Sequence, residues 1–353
     1  MRRIVGGIVN EKGLTIGVTL TLIFSLLVLN SIAEYSLRQH ILYILLGSLL
    51  FIIFSAIDFE VLSIFANHFY IGSLFLLILP LIIGQIKRGA VRWIDIMGFT
   101  VQPAEIVRPF LLIFFATYLT QKELSFRRIL RACFLVLIPV FLVAIQPSLG
   151  VAILTFMGFL GTLLASGINK KNFLIMGVLI ILFLPLLWFV LAPYQRQRLE
   201  SFINPHIDPT GAGYNSIQSM ISVGSGGLWG RGLGQGAQTQ LFFLPERHTD
   251  FVFASICEEL GFVGAMLVIG IFVFILYRIS KILGEARNFA SRSFIFGIFL
   301  ILLSQTTIHI GMNLGLLPIT GVPLPLVSLG GSSLVGTMIG LGMVIGAKKK
   351  IFS

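Results

Sequence analysis

Apolar runs, most of them near twenty residues and each closed by a short polar break, recur along nearly the whole chain. About twenty apolar residues in a helix cross the roughly 30 Å hydrocarbon core of a bilayer. Ten runs stand out: Leu14–Ala33, Ile41–Ile57, Ala66–Gly84, Pro103–Leu119, Arg131–Ala144, Ser148–Ala165, Asn172–Leu191, Phe251–Tyr277, Ser293–Met312 and Pro325–Ala347. The fifth is short and contains Pro139, so it is expected to tilt or distort. The first exceeds the apolar core of a cleaved signal peptide and is kept as a helix. One long segment, about 193–250, is too polar to be buried in lipid and is rich in Gly, Gln and Ser. A structureless loop of that length is unusual. A partly helical cap is expected instead, with Asn215–Val223 as a short amphipathic helix on the bilayer surface. The pattern predicts an all-α polytopic membrane protein. It has ten transmembrane helices in a single membrane domain, 1–353, and a long extracytoplasmic loop between helices 7 and 8.

Composition agrees with the pattern. Of 353 residues, 56% are hydrophobic and 11% charged, against about 25% charged in soluble domains. The net charge of +11 reads as topology and not as a nucleic-acid surface, because basic residues collect in cytoplasmic loops. Ten spans put both termini on one side. With the termini inside, 16 Lys and Arg fall inside and 8 outside. The long loop is therefore expected outside the cytoplasm. Cys133 and Cys257 both lie in apolar runs and build neither a disulfide framework nor a metal motif.

The polar exceptions carry the candidate chemistry. Asp250 stands where the loop turns apolar at Phe251. On local sequence it first suits a helix N-cap, and beside that a general base partly shielded from water. A strong cap lowers the pKa, so the two roles compete. Arg196 and Arg198 fit lipid headgroups or a diphosphate clamp. The glycines at 224, 226, 227, 230, 232, 234 and 236 fit a flexible loop or N–H donors near a phosphate or sugar. Lys87, Arg88 and Arg92 form a second exterior basic cluster beside Trp93, whose ordinary role is interfacial anchoring. Glu105 and Arg108, three apart in an apolar run, form a structural pair or mark function. Glu258 lies roughly 12 Å along the helix from Asp250 and about 80° around it, with Glu259 beside it. His309 and Asn313 fit helix–helix hydrogen bonds. The prolines and small residues from Gly321 to Ser333 predict either a kinked, closely packed helix or a broken helix lining a substrate cavity.

Several of these stretches together resemble one family. They are Arg92-Trp93-Ile94, Gln102-Pro103-Ala104-Glu105, Gln146 to Gly150, Gly211 to Asn215, Leu244 to Phe251, Glu258 to Gly261 and Pro323 to Ser333. In this order they are similar to the SEDS proteins (shape, elongation, division, sporulation), the family of RodA, FtsW and SpoVE. Arg247 and the run Gly213–Gln218 look more like RodA than FtsW. Arg108 replaces the family's usual lysine, and Leu329 a frequent tyrosine.

The resemblance implies a peptidoglycan glycosyltransferase in the bacterial cytoplasmic membrane, with both termini cytoplasmic. It would polymerise lipid II, for cell elongation and shape, and work with a class B penicillin-binding protein that crosslinks the strands. The essential acid maps to Asp250. Expected substrate contacts are Trp93, Glu105, Arg108, Arg196, Arg198, His248, Ser332 and Ser333. The leaving group would be a polyprenyl diphosphate, so one base plus positive charge could suffice. A divalent cation, Mg or Mn, would ride largely on the phosphates. Two rivals stand beside this expectation: a flippase for lipid-linked precursors, and a non-catalytic scaffold. A division-specific polymerase of the FtsW type is the alternative within the family.

Overall fold

The computed structural model describes residues 11–87, 90–96, 99–183, 193–204 and 211–348. The chain opens with α1, Lys12–Ile32, a 3-10 turn at Glu34–Ser36, α2 at Leu37–Ala56, the short α3 at Phe59–Ile64, and α4 at Ala66–Ile83. A small antiparallel sheet follows, of β1 (Gln85–Lys87), β2 (Ala90–Ile96) and β3 (Phe99–Val101), in the order β1-β2-β3. Then come α5 (Pro103–Thr120), α6 (Phe126–Ile145), α7 (Leu149–Ala165) and α8 (Lys170–Phe183). The loop region holds α9 (Pro193–Ile203), α10 (Ala212–Ser225) and α11 (Ala237–Gln240). Three helices close the chain: α12 (Val252–Gly284), α13 (Phe289–Asn313) and α14 (Gly331–Gly346).

Among the described residues, seven helices are long and apolar enough to cross a membrane: α1, the stretch Glu34–Ala56 that contains α2, α4, α5, α6, α12 and α13. The shorter apolar helices α7 and α14 pack among them. Each of the ten expected runs coincides with a helix, though 184–191 of the seventh run lie outside the described residues. The architecture is that of a multi-pass, helical membrane protein. α14 and α5 form its middle and are buried along most of their length. The outer helices expose apolar side chains such as Leu45, Phe75, Phe134 and Val273, as lipid-facing surfaces do.

Three expectations change. The fifth run is not short: α6 has 20 residues, because Ser125 caps it at the Arg128 N–H and its basic first turn is already helical. The tenth run does not begin at Pro325. Pro323 and Pro325 lack N–H groups, Leu326 takes φ +62, and helix resumes only at Gly331. The sheet of β1, β2 and β3 is not among the sequence expectations; Arg92 between Val91 and Trp93 is its one faint alternation.

The two described ends of the chain meet. Glu11, buried before α1, pairs with Arg278 at 3.0 Å and with Lys348 just past α14. Lys348 also reaches Glu285 at 2.7 Å. The opposite end of α1 meets the loop region, where the Ile32 carbonyl accepts from Arg247 Nε at 3.1 Å. The charged clamp and the loop thus occupy opposite ends of the bundle.

Candidate active site

The loop region is organised by a break in α12. Gly261 sits at φ +66 and ψ −162, which interrupts the helix. The loop backbone docks into the gap. The Phe262 and Val263 N–H groups bond to the carbonyls of Gly227 and Leu228, at 2.9 and 3.2 Å. The Glu258 and Glu259 carbonyls accept from Arg231 and Gly232, at 2.9 and 3.0 Å. A Cβ on Gly230 would run into the Glu259 carbonyl, and one on Gly261 into the Gly230 nitrogen. These glycines serve backbone-to-backbone contact, a role that differs from both a flexible loop and a phosphate cradle.

The Glu258 and Glu259 side chains brace the same loop. Glu258 Oε1 accepts from the Gln238 N–H at 2.8 Å, and Oε2 from the Thr239 N–H at 3.0 Å and the Thr239 hydroxyl. Its carboxylate thereby sits at the start of α11, where a helix favours negative charge. Glu259 accepts from Ser31 Oγ at 2.6 Å, and from the Gly234 N–H and Gln240 Nε2, both at 3.1 Å. The signal was present in the sequence as adjacent acids before a glycine, but a continuous helix had been expected there.

Asp250 ends the turn that leads from this braced loop into α12. It is half-buried. The expected N-cap role does not fall to it: α12 begins at Val252, and its N-cap residue is Phe251. The turn is held through its main chain. Ser328 Oγ donates to the Thr249 carbonyl at 2.7 Å, and the Leu329 N–H to the His248 carbonyl at 2.8 Å. Asn313 Nδ2 donates to the Asp250 carbonyl at 3.0 Å. Glu246 adopts φ +52, and its carbonyl accepts from both the Thr249 and Phe251 N–H groups. A non-glycine residue there costs roughly 1–2 kcal/mol, strain of the sort concentrated at functional sites.

The segment 321–330 forms the other wall. Gly321, at φ +67, lies against the carboxylate, with a Cβ position 3.5 Å from Asp250 Oδ2. His309 Nδ1 fixes the next residue through the Val322 carbonyl at 2.8 Å. Two residues before Gly321, the Ile319 carbonyl accepts from Arg198 Nη1 at 3.3 Å. Arg198 is exposed and stands on α9. Arg196, two positions earlier on the same helix, leaves from nearly the opposite face. His248 belongs to the Asp250 turn, and its ring meets Tyr35 edge-on at 6.1 Å. Asp250 and His248 thus share one turn, and Arg198 is tied to the wall that faces it.

Ser332, Ser333, Glu105 and Arg108 form a second, buried group. Ser332 Oγ accepts from the Gln102 N–H at 2.8 Å, and Ser333 Oγ from Gln305 Nε2 at 3.3 Å. Glu105 and Arg108 are buried and ion-paired on α5, where Gly336 of α14 packs on the Glu105 carbonyl. The void beside the pair is about 20 Å³, room for about one water. Trp93 lies on β2, with the Arg92 guanidinium 5.7 Å from its ring centre, and Arg92 Nη1 reaches the Pro147 carbonyl at 3.4 Å. Arg88 lies outside the described residues. Segment 321–330 links the two groups, since Gln305 Nε2 also donates to the Pro323 carbonyl at 2.9 Å.

Two expectations for the loop were incomplete. α10 is longer than Asn215–Val223, and it does not simply lie on a bilayer. Its Ser216, Ser219 and Ser222 face inward, and Ser219 Oγ donates to the Asn313 carbonyl at 2.9 Å. Met220 and Ile221 face out. Between α10, α12 and the end of α13 lies an apolar cleft of about 340 Å³, lined by residues that include Val223, Phe253, Phe262, Met266 and Leu314. Among the described residues no group of three His, Cys, Asp or Glu side chains is placed to hold a metal ion.

Comparison with known proteins gives a consistent result. Residues 7–351 match the family profile of FtsW, RodA and SpoVE, described as cell cycle proteins. The chain is 38% identical over 330 residues to the peptidoglycan glycosyltransferase MrdB of Escherichia coli K12, covering 92% of this chain and 89% of that one. It is 37% identical over 318 residues to the probable peptidoglycan glycosyltransferase FtsW of Coxiella burnetii, covering 87% and 84%. Among solved structures, it is similar to a peptidoglycan synthase complex described for its coordination of polymerization and crosslinking. The TM-score there is 0.82 at 30% identity, with 94% and 96% covered. Thermus thermophilus RodA, a rod shape determining protein, superposes with a TM-score of 0.70 at 27% identity, covering 95% of each chain.

Proposed function

The chain belongs to the family of cell cycle proteins that holds FtsW, RodA and SpoVE, and from that premise we infer that it is a peptidoglycan glycosyltransferase of the RodA kind, serving cell elongation and shape. The observation that carries this is the 38% identity to a protein of that activity along 92% of the chain. FtsW-type relatives at 37% identity keep the division polymerase as a second reading. The whole of 1–353 forms one membrane domain. The excess of basic residues at the clamped end, with Glu11 meeting Lys348 there, favours cytoplasmic termini. The loop end then faces outward in the cytoplasmic membrane, toward lipid II. A class B penicillin-binding protein is the partner that the resemblance to the synthase complex supports.

The reaction is inverting glycosyl transfer. The acceptor sugar hydroxyl of lipid II attacks the anomeric carbon of the lipid-linked strand. Asp250 takes the hydroxyl proton as the new C–O bond forms. The bond to the polyprenyl diphosphate breaks, and the diphosphate leaves with the electron pair. Glycosidases acting on ether leaving groups need a second carboxyl as acid; a diphosphate is already a stable anion. Arg198, anchored beside the Asp250 wall, is placed to meet it. Among the described residues no group of three acids or histidines is placed to hold a metal ion, so a divalent ion would come as a companion of the diphosphate, to which it would lend charge neutralisation. The apolar cleft at Phe253 and Phe262 suits part of a polyprenyl chain.

Purified full-length protein given lipid II, with and without its transpeptidase partner, tests this. Glycan polymer should form, and an Asp250→Asn variant that folds should make none. Flipping of lipid II in proteoliposomes without polymer would favour the flippase instead. Complex formation without either activity would favour a scaffold.

A further inference from the structure

The helix after Asp250 starts without a cap from its own strand, since Phe251 has no side-chain acceptor to offer. Asn313, the last residue of α13, supplies one from across the fold. Its Oδ1 accepts the Ala254 N–H at 2.9 Å. That is the third N–H of the helix, one an N-cap side chain ordinarily takes. Its Nδ2 donates to the Asp250 carbonyl at 3.0 Å and to the His309 carbonyl at 2.8 Å. The side chain is fully buried, so one acceptor and two donors are all committed. No other residue type offers both an acceptor and two donors at this length. One turn back on α13, His309 holds Val322 and with it the Gly321 wall against the Asp250 carboxylate. Consecutive turns of one helix therefore set both sides of the site.

We propose that Asn313 is a positioning residue for glycosyl transfer: it caps α12, whose N-cap residue Phe251 offers no acceptor, and clamps the Asp250 carbonyl, which fixes the turn that carries the Asp250 carboxylate. This rests on Asp250 being the base. A carboxylate drawn into capping would be held by N–H groups and the helix dipole, and would accept a proton less readily. Asn313 takes that N–H from across the fold, so the cap does not have to come from the Asp250 turn.

The test compares Asn313→Ala and Asn313→Asp in the full-length protein with its partner, by lipid II polymerisation kinetics and by amide exchange across residues 252–255. For Asn313→Ala, kcat should fall about 10- to 100-fold, the scale of a small misplacement of a reacting group. KM for lipid II should stay within about two-fold, because the diphosphate contacts are elsewhere. Exchange at 252–255 should quicken about ten-fold. Asn313→Asp keeps an acceptor for the Ala254 N–H but sets a carboxyl oxygen against two carbonyls, so exchange should quicken less than in Asn313→Ala while kcat still falls. If Asn313→Ala does not fold, Asn313→Asp carries the test alone. Wild-type kcat per folded molecule, or a loss appearing in KM, would overturn the proposal. An Asp250→Asn variant separates the two claims. If it polymerises, the base assignment falls and this one with it. If it is inactive while Asn313→Ala and Asn313→Asp keep full kcat, only the positioning role falls.

Discussion

Glu258 and Asp250 are carboxylates eight residues apart, and the fold uses them in opposite ways. Glu258 is fully buried, with its oxygens accepting from the Gln238 and Thr239 N–H groups and the Thr239 hydroxyl. Asp250 is half-buried, and the contacts described above grip its turn by the carbonyls of His248, Thr249 and Asp250. A carboxylate surrounded by backbone donors fixes a loop. A carboxylate carried on a turn held by its main chain can meet a substrate while the turn stays in place.

The hardest test of this contrast is the pair Asp250→Asn and Glu258→Gln. Loss of a general base typically costs about 100- to 10,000-fold, so Asp250→Asn should remove polymer. Glu258→Gln should act on stability instead. It turns a donor toward N–H groups that need acceptors, at a cost of about 1–3 kcal/mol. Thermal unfolding should shift down while kcat per folded molecule stays within a few-fold. Equal kinetic losses in both variants would erase the distinction.

Next in size is the break in α12. Gly261→Ala places a side chain at φ +66 and into the Gly230 backbone, so the loop must undock. Limited proteolysis should then cut within 226–236, where wild type resists. Polymerisation should fall with it, because Glu258 and Glu259 lose the loop they brace. Cutting at the wild-type rate would mean that the loop does not depend on the break.

These particulars also show what the sequence made legible and what it hid. The helix runs were visible because lipid demands continuous apolar stretches, and α1, α4, α5 and α7 lie close to their expected bounds. Asp250 stood out as an acid at a polar-to-apolar boundary. Whether it caps the helix could not be read from its surroundings in sequence, since the residue that does so, Asn313, lies 63 positions away. The loop-to-helix docking at Gly227–Gly232 was hidden for the same reason. Backbone pairing between remote segments leaves no periodicity, only glycines that also fit a flexible loop. Ser332 and Ser333 belong to a stretch whose composition suggests a broken helix, but their bonds to Gln102 and Gln305 depend on the fold.

A smaller effect is expected at Ser328. It joins the Leu324 N–H at 2.9 Å to the Thr249 carbonyl at 2.7 Å, and so ties the Pro-rich wall to the Asp250 turn. Ser328→Ala loses both bonds, worth about 1 kcal/mol each. Polymer yield should drop a few-fold, with a lower melting temperature. Unchanged kinetics would show that Leu329 and Asn313 hold the turn without it.

The smallest effect should come from a third carboxylate, Glu11, which works by charge at the other end of the bundle. Its cations are partly exposed, Arg278 by 24% and Lys348 by 19%, so solvent screens the pairs. Glu11→Gln should therefore cost about 1 kcal/mol or less, and polymerisation should not change. Two conditions distinguish this charge clamp from the hydrogen-bonded Glu258. High salt should shrink the difference between wild type and Glu11→Gln, but leave the cost of Glu258→Gln in place. The pH dependence has a definite sign. Burial alone would lower the Lys348 pKa, but hydrogen bonds and charge from Glu11 and Glu285 outweigh it and hold the group above the ordinary lysine value. A raised pKa contributes stability that is complete below the ordinary lysine value of about 10.4. That stability is lost as pH rises through the raised value. The melting-temperature gap between wild type and Glu11→Gln should thus be constant near neutrality and close in alkali. A gap that persists in alkali and in high salt would mean that Glu11 holds its end of the bundle as Glu258 holds the loop, through hydrogen bonds and not through charge.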